Sequence, residues 1–488
     1  MYGSILKADP NTSLSIITSV VLPSNPPYLF LNGNANFYYI SKLEDQKIIN
    51  LPYRMLNLSW GHQHDEFQLL SNFSLEYQPN INNYSFKMDD PQDFLIDLRE
   101  LYITYLLSFG EIRIGKQIQT WGFVDENSPL DNTSAYDYNF LFESGTERKI
   151  GSNSLAMDIY LDNFKLGFTT TPFHSINRLP SSRAEFPIDL PVTPNDYQFM
   201  DIEKVNEYGV YLQYNSDLVD IATSYFSGYD RIYNLSGINI HETTGGEIYS
   251  EPDTVFAYRK TNVLGLSAQT FLGDLSVRMD LGLFNTKDQN RNVSRAHPNP
   301  PAYPFLKEEL YRSTPIFEKS KYYQTTIQLE YPLPKGFDLF VQYFKYDTLS
   351  YNADSPLEEG ESIDIPLFQQ IDGFNPYTYF YPGMGSPLAL MTRNAILLGV
   401  KKSLNERFLI QVRNLMDIEY KGYFLELVGD YKLSNKVSAN FAINYINGDQ
   451  EHPKSISNMG NDYDRALDYP LNQMEDFSHF RMQIKYSF

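Results

Sequence analysis

The sequence predicts an all-β fold, a transmembrane antiparallel β-barrel of about 18 strands, with 16 as the alternative, and three observations carry that expectation. The chain ends on strict alternation: Phe480, Met482, Ile484, Tyr486 and Phe488 interleave with Arg481, Gln483, Lys485 and Ser487. Connections between strand-like segments fall into two classes, tight and long, that alternate along the chain. Aromatic residues make up 15% of the 488 residues, with 39 Tyr and 33 Phe against 2 Trp, yet the mean hydropathy is only -0.39.

A strand puts successive side chains on opposite faces, so the final segment has one apolar face and one polar face. An edge strand of a soluble sheet would leave that terminal Phe unpaired and exposed. The pattern recurs upstream. Leu275, Val277, Met279, Leu281 and Leu283 oppose Ser276, Arg278, Asp280 and Gly282. Val437, Ala439, Phe441, Ile443 and Tyr445 repeat it. So do Ile112, Ile114 and Ile118 against Arg113, Gln117 and Gln119, and Leu155, Met157, Ile159 and Leu161 against Asp158 and Tyr160. Charges on the inner face of strand after strand suit a wet lumen and not a dry core.

From these anchors the strands are expected near 28–41, 52–62, 65–78, 94–108, 110–120, 151–161, 163–172, 205–214, 217–228, 254–271, 273–287, 319–332, 336–350, 390–403, 406–416, 419–433, 435–448 and 473–488. Tight connections fall at His62 to Asp65, Phe109 to Glu111, Asp162 to Asn163, Asn215 to Asp217, Leu272 to Asp274, Pro332 to Gly336, Leu404 to Glu406 and Leu433 to Asn435. Long ones alternate with them, apart from a short connection near Asp417. Outer-membrane barrels have short periplasmic turns and long extracellular loops, so the tight set is assigned to the periplasm. The long loops near 121–150, 173–204, 229–253, 288–318, 351–389 and 449–472 are then external. Loops of that length are usually functional or disordered. Residues 1–27 are read as an N-terminal periplasmic segment and 28–488 as one barrel domain in the outer membrane of a diderm bacterium.

Composition narrows the function. No apolar run approaches the about 18 residues of a spanning helix. The formal charge of -21 disfavours nucleic acid as a partner, and the absence of Cys removes disulfide frameworks and thiolate metal sites. A basic n-region and apolar h-region do not follow Met1, so the chain is read as a mature form with a start methionine. A TonB-dependent transporter, which carries a plug domain ahead of its first strand, is not expected. His174, His241, His297 and His452 lie in external loops without a nucleophile motif, and the chain is read as no enzyme. Neither a phosphate loop nor a dinucleotide fingerprint is present.

The densest segment is Arg113-Ile114-Gly115-Lys116-Gln117-Ile118-Gln119-Thr120-Trp121-Gly122, followed by Asp125, Glu126, Asn127, Ser128, Pro129, Leu130 and Asp131. A strand rises, breaks at Trp121-Gly122 and enters an acidic loop. The ordinary reading is a girdle Trp at the membrane surface. With the later Pro172-Phe173-His174-Ser175-Ile176-Asn177-Arg178-Leu179-Pro180, this segment resembles an outer-membrane barrel family associated with resistance-nodulation-division (RND) transporters. The similarity covers roughly residues 95–190, on Gly115, Lys116, Trp121, Gly122, Asn177 and Arg178. It departs where Ser128-Pro129 replaces Asn-Pro and where the usual basic run is missing. The resemblance implies export of lipid or hydrophobic compounds with a periplasmic or RND-type partner.

Candidate pore-lining residues are Arg113, Gln117, Gln119, Asp158, Lys165, Arg278, Asp280, Glu330 and Arg413, since rings of inward charge set selectivity in pores. Mutual pairing across neighbouring strands is the alternative for the charged ones. Trp121, Asp125, Glu126, Asp131 and Asp137 are candidates for a loop that constricts the lumen. Metal binding is weakly indicated: His62-Gln63-His64-Asp65-Glu66 reads as an ordinary polar turn, and Asn461, Asp462, Asp464 and Asp468 could offer oxygens to Ca²⁺ in an external loop but lack EF-hand spacing. No other cofactor is expected. The leading function is a channel or conduit for a solute or lipid-like molecule in contact with outer-membrane lipid. The alternative is a structural or adhesion barrel whose external aromatic segments, such as Asn375-Pro376-Tyr377-Thr378-Tyr379-Phe380-Tyr381-Pro382, bind a protein.

Overall fold

The computed structural model describes residues 28–49, 51–77, 94–141, 143–179, 194–202, 205–243, 252–289, 291–298, 308–353, 380, 382–418, 422–448, 471, 474 and 477–488. The expected segment 1–27 and the candidate calcium ligands Asp462 and Asp464, with Asn461 and Asp468, lie outside the described residues.

Eighteen strands form one sheet that closes on itself. They are β1 (Tyr28–Lys42), β2 (Tyr53–His64), β3 (Phe67–Tyr77), β4 (Phe94–Leu107), β5 (Gly110–Gln117), β8 (Ser152–Leu161), β9 (Phe164–Thr171), β10 (Glu207–Tyr214) and β11 (Val219–Tyr229). The ring continues through β14 (Lys260–Leu272), β15 (Leu275–Lys287), β17 (Lys319–Leu333), β18 (Phe337–Asn352), β19 (Asn394–Asn405), β20 (Phe408–Asp417), β21 (Tyr423–Lys432), β22 (Val437–Asn447) and β23 (His479–Ser487). Each pairs antiparallel with the next, and β23 returns to β1, Phe37 opposite Ile484. The terminal Phe488 donates to Gly33 O at 3.0 Å and accepts from Gly33 N at 3.1 Å. The alternating final strand is therefore a seam and not an edge. Closure leaves no unpaired ladder in hydrocarbon, where each unsatisfied backbone group costs several kcal/mol.

Burial is inverted relative to a soluble protein. On β14 and β15, Leu264, Leu266 and Leu283 are exposed while Ser267 and Asp280 are buried. The same holds for Leu425 and Leu427 against Glu426, and for Phe441 and Ile443 against Ala442 and Asn444. Apolar side chains that face outward around a closed barrel form the lipid-facing band of an outer-membrane protein. Aromatic pairs mark both rims of that band. Phe67–Tyr105 and Phe164–Tyr214, each 4.9 Å between ring centroids, sit beside tight turns. Tyr77–Phe94 at 5.0 Å and Tyr423–Tyr445 at 6.1 Å flank the opposite ends of their strands. The tight turns use left-handed residues: Asp65, Asp162 and Gly273 in two-residue hairpins, and Lys335 and Gly336 in the three-residue loop between Leu333 and Phe337.

Four sequence expectations are corrected. The strand expected over 254–271 is two elements, because the chain breaks at Tyr258-Arg259 where buried Arg259 turns to meet Asp230 and Glu318, each at 2.7 Å. Its first part, β13 (Asp253–Ala257), joins β12 (Asn234–Thr243) and β16 (Glu308–Pro315) in a separate antiparallel sheet with β12 central. The regions 229–253 and 288–318 are thus partly folded and not simply loops. Strand 390–403 starts late, at Asn394, because Pro387–Leu390 is a short 3-10 helix. Strand 110–120 stops at Gln117: Ile118 N turns to the Glu100 carboxylate at 3.0 Å and Gln119 N to Ser134 Oγ at 3.1 Å.

Candidate functional site

From that departure point the 121–150 segment runs into the barrel. It contains a two-strand ribbon, β6 (Ala135–Tyr136) with β7 (Lys149–Ile150), and two short 3-10 turns. Its partners lie on opposite walls. Asp280 of β15 accepts from Phe123 N at 3.0 Å, Val124 N at 3.1 Å and Ser128 Oγ at 2.7 Å. On β17, Gln328 accepts from Asp125 N at 3.2 Å, and Thr326 donates to Asn127 O at 2.8 Å. On β18, Gln342 donates to Glu126 O at 2.8 Å and accepts from Asn127 Nδ2 at 2.7 Å. β15 is separated from β5 by β8, β9, β10, β11 and β14, so the tip spans the lumen.

The returning limb is tied to the other wall. Glu147 bonds Arg54 of β2 at 2.8 Å and Arg99 of β4 at 3.0 Å. Glu143 pairs with Arg481 of β23 at 3.4 Å. Arg54 also lies over the Phe140 ring at 3.8 Å. A loop bonded to β2, β4 and β23 on one side and to β15, β17 and β18 on the other is a strap across the interior.

The two halves of the sequence motif meet here. Tyr136 N donates to Asn177 Oδ1 at 2.8 Å, and Arg178 extends the strap as a short parallel bridge opposite Asp137. The Arg178 guanidinium bonds Glu76 of β3 at 2.5 and 2.9 Å and Asp137 at 3.1 Å. Asp131 pairs with Lys149 within the strap. Gly122 has φ +99, and a Cβ there would stand 2.3 Å from Asp280 Oδ2 and 2.4 Å from Ser128 Oγ. Gly115 has φ +134 and lets β5 approach Leu101 O, 2.2 Å from where a Cβ would sit. Lys116, in register with Leu101, reaches Asp97 at 3.8 Å.

Trp121 is an interior residue and not a girdle residue. It packs inside the wall against Tyr211 of β10, 5.8 Å between centroids, and edge-on to Phe226 of β11 at 6.5 Å. Gly209 of β10 makes the room, since a Cβ there would lie 2.3 Å from the indole.

Of the expected pore-lining residues, Gln117, Gln119, Asp158 and Asp280 are buried, and Gln119 and Asp280 bond the strap directly. Gln119 bonds Ser154 and Thr169 of the wall at 3.0 and 3.1 Å. The charges are paired. Arg113 and Lys165 converge on Asp158 at 2.9 and 3.5 Å. Arg278 bridges Asp125 at 2.5 Å and Glu330 at 3.5 Å, so a wall charge and a strap charge form one network. Arg413 bonds Glu426 at 2.6 Å, with Arg481 at 3.7 Å from the same carboxylate. In the polar turn after β2, His64 Nδ1 lies 3.1 Å from Asp65. Among the described residues no three His, Asp or Glu side chains are grouped to hold a metal ion.

Sequence reasoning missed Arg54, Glu76, Arg99, Glu147 and Arg481 as strap anchors. For Arg54, Glu76, Arg99 and Arg481 the signal was a charge on the polar face of a strand, the same signal that flagged Arg113 and Arg413, whereas Glu147 lies in a 3-10 turn of the strap and carried no such signal.

No family model matches the chain, and no curated protein sequence matches it. Solved structures do. The barrel is similar to Acinetobacter baumannii OccAB2 at 8% identity and TM-score 0.46, over 94% of this chain and 98% of that one. OmpT, an outer membrane protein of Vibrio cholerae, aligns at 9% identity and TM-score 0.39 over 96% and 100%. Salmonella typhi OmpF in complex with daunomycin aligns at 11% and 0.38 over 94% and 97%. The similarity is one of fold.

Beyond the end of β15 a second charged network joins Asp230, Arg259, Glu318 and Asp288. Asp288, just past β15, accepts from Glu318 N at 2.8 Å and Asn234 Nδ2 at 2.6 Å. Burial and the neighbouring Glu318 charge push its carboxyl up to about 6. A carboxyl raised on folding contributes stability that is complete below its unfolded value near 3.8 and is lost as pH rises through about 6. Acidifying from pH 7 to pH 5 should therefore add about 1 kcal/mol through this group. Urea midpoints in detergent for the natural chain and Asp288→Asn should differ in slope over that window, with the variant flatter. Parallel profiles would contradict the assignment.

Proposed function

We propose that the chain is a selective outer-membrane channel for small solutes, narrowed by the 121–150 strap. One observation carries the reading: the strap's tip is bonded to β15, β17 and β18 while its return limb is bonded to β2, β4 and β23, across the interior. A barrel of 18 strands encloses a lumen wide enough for solutes unless loops fill it. A structural barrel has no need to bury an acidic loop against its own inner wall, where every polar group must find a partner.

The test is single-channel conductance in planar bilayers. Deleting 125–140 should raise conductance several-fold, and an unchanged value would overturn the constriction. The motif resemblance supports a second reading, a conduit for lipid or hydrophobic compounds working with an RND-type envelope partner. That reading expects negligible ion current before and after the deletion, together with co-purification of the partner. For adhesion, the aromatic segment 375–382 lies largely outside the described residues, and its Phe380 packs inward on Tyr322 of β17 at 5.1 Å between centroids.

A further inference from the structure

The outward face of the barrel carries a strongly basic patch. Lys260 of β14 stands directly opposite Lys287 of β15, and Lys287 directly opposite Lys319 of β17. Lys321 lies two residues further along β17, opposite Asn285. The neighbouring side chains on these strands, Thr261, Thr286, Ser320 and Tyr322, are buried in the interior. Successive residues of a strand alternate faces, so the four lysines point outward. Lys287, Lys319 and Lys321 are exposed, and Lys260 is half-buried with its ammonium over the Tyr229 ring at 4.7 Å.

The patch sits at a defined height. Tight turns join Leu272 to Leu275 and Leu333 to Phe337 at the periplasmic ends of the same strands, so the lysines stand at the external rim. Exposed Leu264 and Leu283 follow on the same face, four residues and about 13 Å along the strand from Lys260 and Lys287. Leucine in hydrocarbon with lysine beyond it puts the ammonium groups at the headgroup level of the outer leaflet. Elsewhere the external rim carries Tyr77, Phe94, Tyr423 and Tyr445 instead.

Like charges directly opposite each other on adjacent strands destabilise a sheet. Carboxylates could relieve them, and the chain has 60 Asp and Glu against 39 Lys and Arg. Among the described residues, however, none of the four lysines makes an ion pair. Asp347, which opposes Tyr323 two residues from Lys321, is held by Arg393 at 3.5 Å. The repulsion is relieved by an anion from outside the chain, and at this height the neighbouring molecules are lipids. Side chains paired across strands start about 5 Å apart, so the oxygens of one phosphate reach two ammonium groups at once through charge-assisted hydrogen bonds.

We propose that this lysine row is a docking surface for phosphorylated lipid headgroups of the outer leaflet, at the external rim of β14, β15 and β17. It is independent of what passes through the lumen.

Native mass spectrometry of the full chain in detergent tests it, with lipid A as the phosphorylated probe and phosphatidylcholine as the zwitterionic one. The natural chain should retain lipid A and release phosphatidylcholine. A lysine at the membrane surface is worth about fivefold in affinity for anionic lipid. Lys287→Gln, Lys319→Gln and Lys321→Gln together should therefore weaken lipid A binding on the order of a hundredfold. Lys401→Gln, Lys432→Gln and Lys436→Gln remove the same charge at exposed periplasmic positions and should leave binding unchanged. Equal retention of the two lipids by the natural chain, an unaltered affinity in the external triple variant, or an equal loss in the periplasmic one would overturn the docking surface. Displacement of lipid A by inorganic phosphate at equal concentration would also overturn it, assigning the lysines to a free anion.

Discussion

Asp280→Leu should open the barrel. The Asp280 carboxylate accepts from two backbone N–H groups and one hydroxyl of the strap, at 3.0, 3.1 and 2.7 Å. It is fully buried, 0% exposed, so leucine leaves all three donors without a partner in a site closed to water. At about 1–3 kcal/mol each, the loss outweighs what the Gln328 and Gln342 contacts return. The tip should detach from the far wall, and single-channel conductance should rise several-fold, approaching that of the 125–140 deletion. Asp280→Asn keeps one acceptor oxygen and should fall between the two. Conductance at the natural value in Asp280→Leu would show that the tip does not limit flow.

Arg178→Met should have the largest effect on stability. The guanidinium holds the Glu76 and Asp137 carboxylates together from a position between barrel wall and strap. Both carboxylates are buried, 2% exposed, and methionine leaves two like charges facing each other. Removing one partner from a fully buried ion pair costs about 3–5 kcal/mol, and because the Arg178 side chain is one-third exposed, solvent screening brings the loss to about 2–3 kcal/mol. The expected readout is a lower unfolding temperature in detergent and new proteolytic cleavage within 121–150. Burial, against the pull of Arg178 and Arg54, already raises the Asp137 carboxyl above its ordinary range. Losing the guanidinium raises it further, so lowering the pH should neutralise the repulsion and restore protection. Glu76→Gln combined with Arg178→Met should restore it at neutral pH. Cleavage unaltered by either condition would remove Arg178 from the role of clamp.

The barrel was legible because its determinants are local. Period-two alternation in Leu275–Leu283 and Phe480–Phe488 states both faces of a strand within nine residues, and turn chemistry at Asp162-Asn163 or Leu433-Asn435 states where it reverses. The interior was less legible because its determinants are distant. Trp121 follows a strand in either reading, and only Gly209, Tyr211 and Phe226, far along the chain, decide that it turns inward. The acidic content of 121–131 suggested a constriction, but its acceptor Asp280 is separated from Val124 by 156 residues. Asp280 itself looked like a pore charge, since a polar inner face is all the strand pattern reveals. Whether such a residue meets water, a neighbouring strand or a loop depends on contacts that periodicity does not encode. The β12–β13–β16 sheet escaped for a related reason: among the described residues its strands form ladders with one another and not with the barrel strands, so no lipid-facing alternation marks them.

The central claim is that the strap crosses the lumen and rests on the far wall, and cross-linking tests it most directly. The chain has 0 Cys, so a pair placed at Asn127 and Gln342, whose side chains bond at 2.7 Å, reacts without background. A short bifunctional thiol reagent applied to the folded barrel should close that pair in nearly all molecules, seen as a mobility shift on denaturing gels. Failure to close it while a monofunctional reagent of similar size labels both cysteines would contradict the strap.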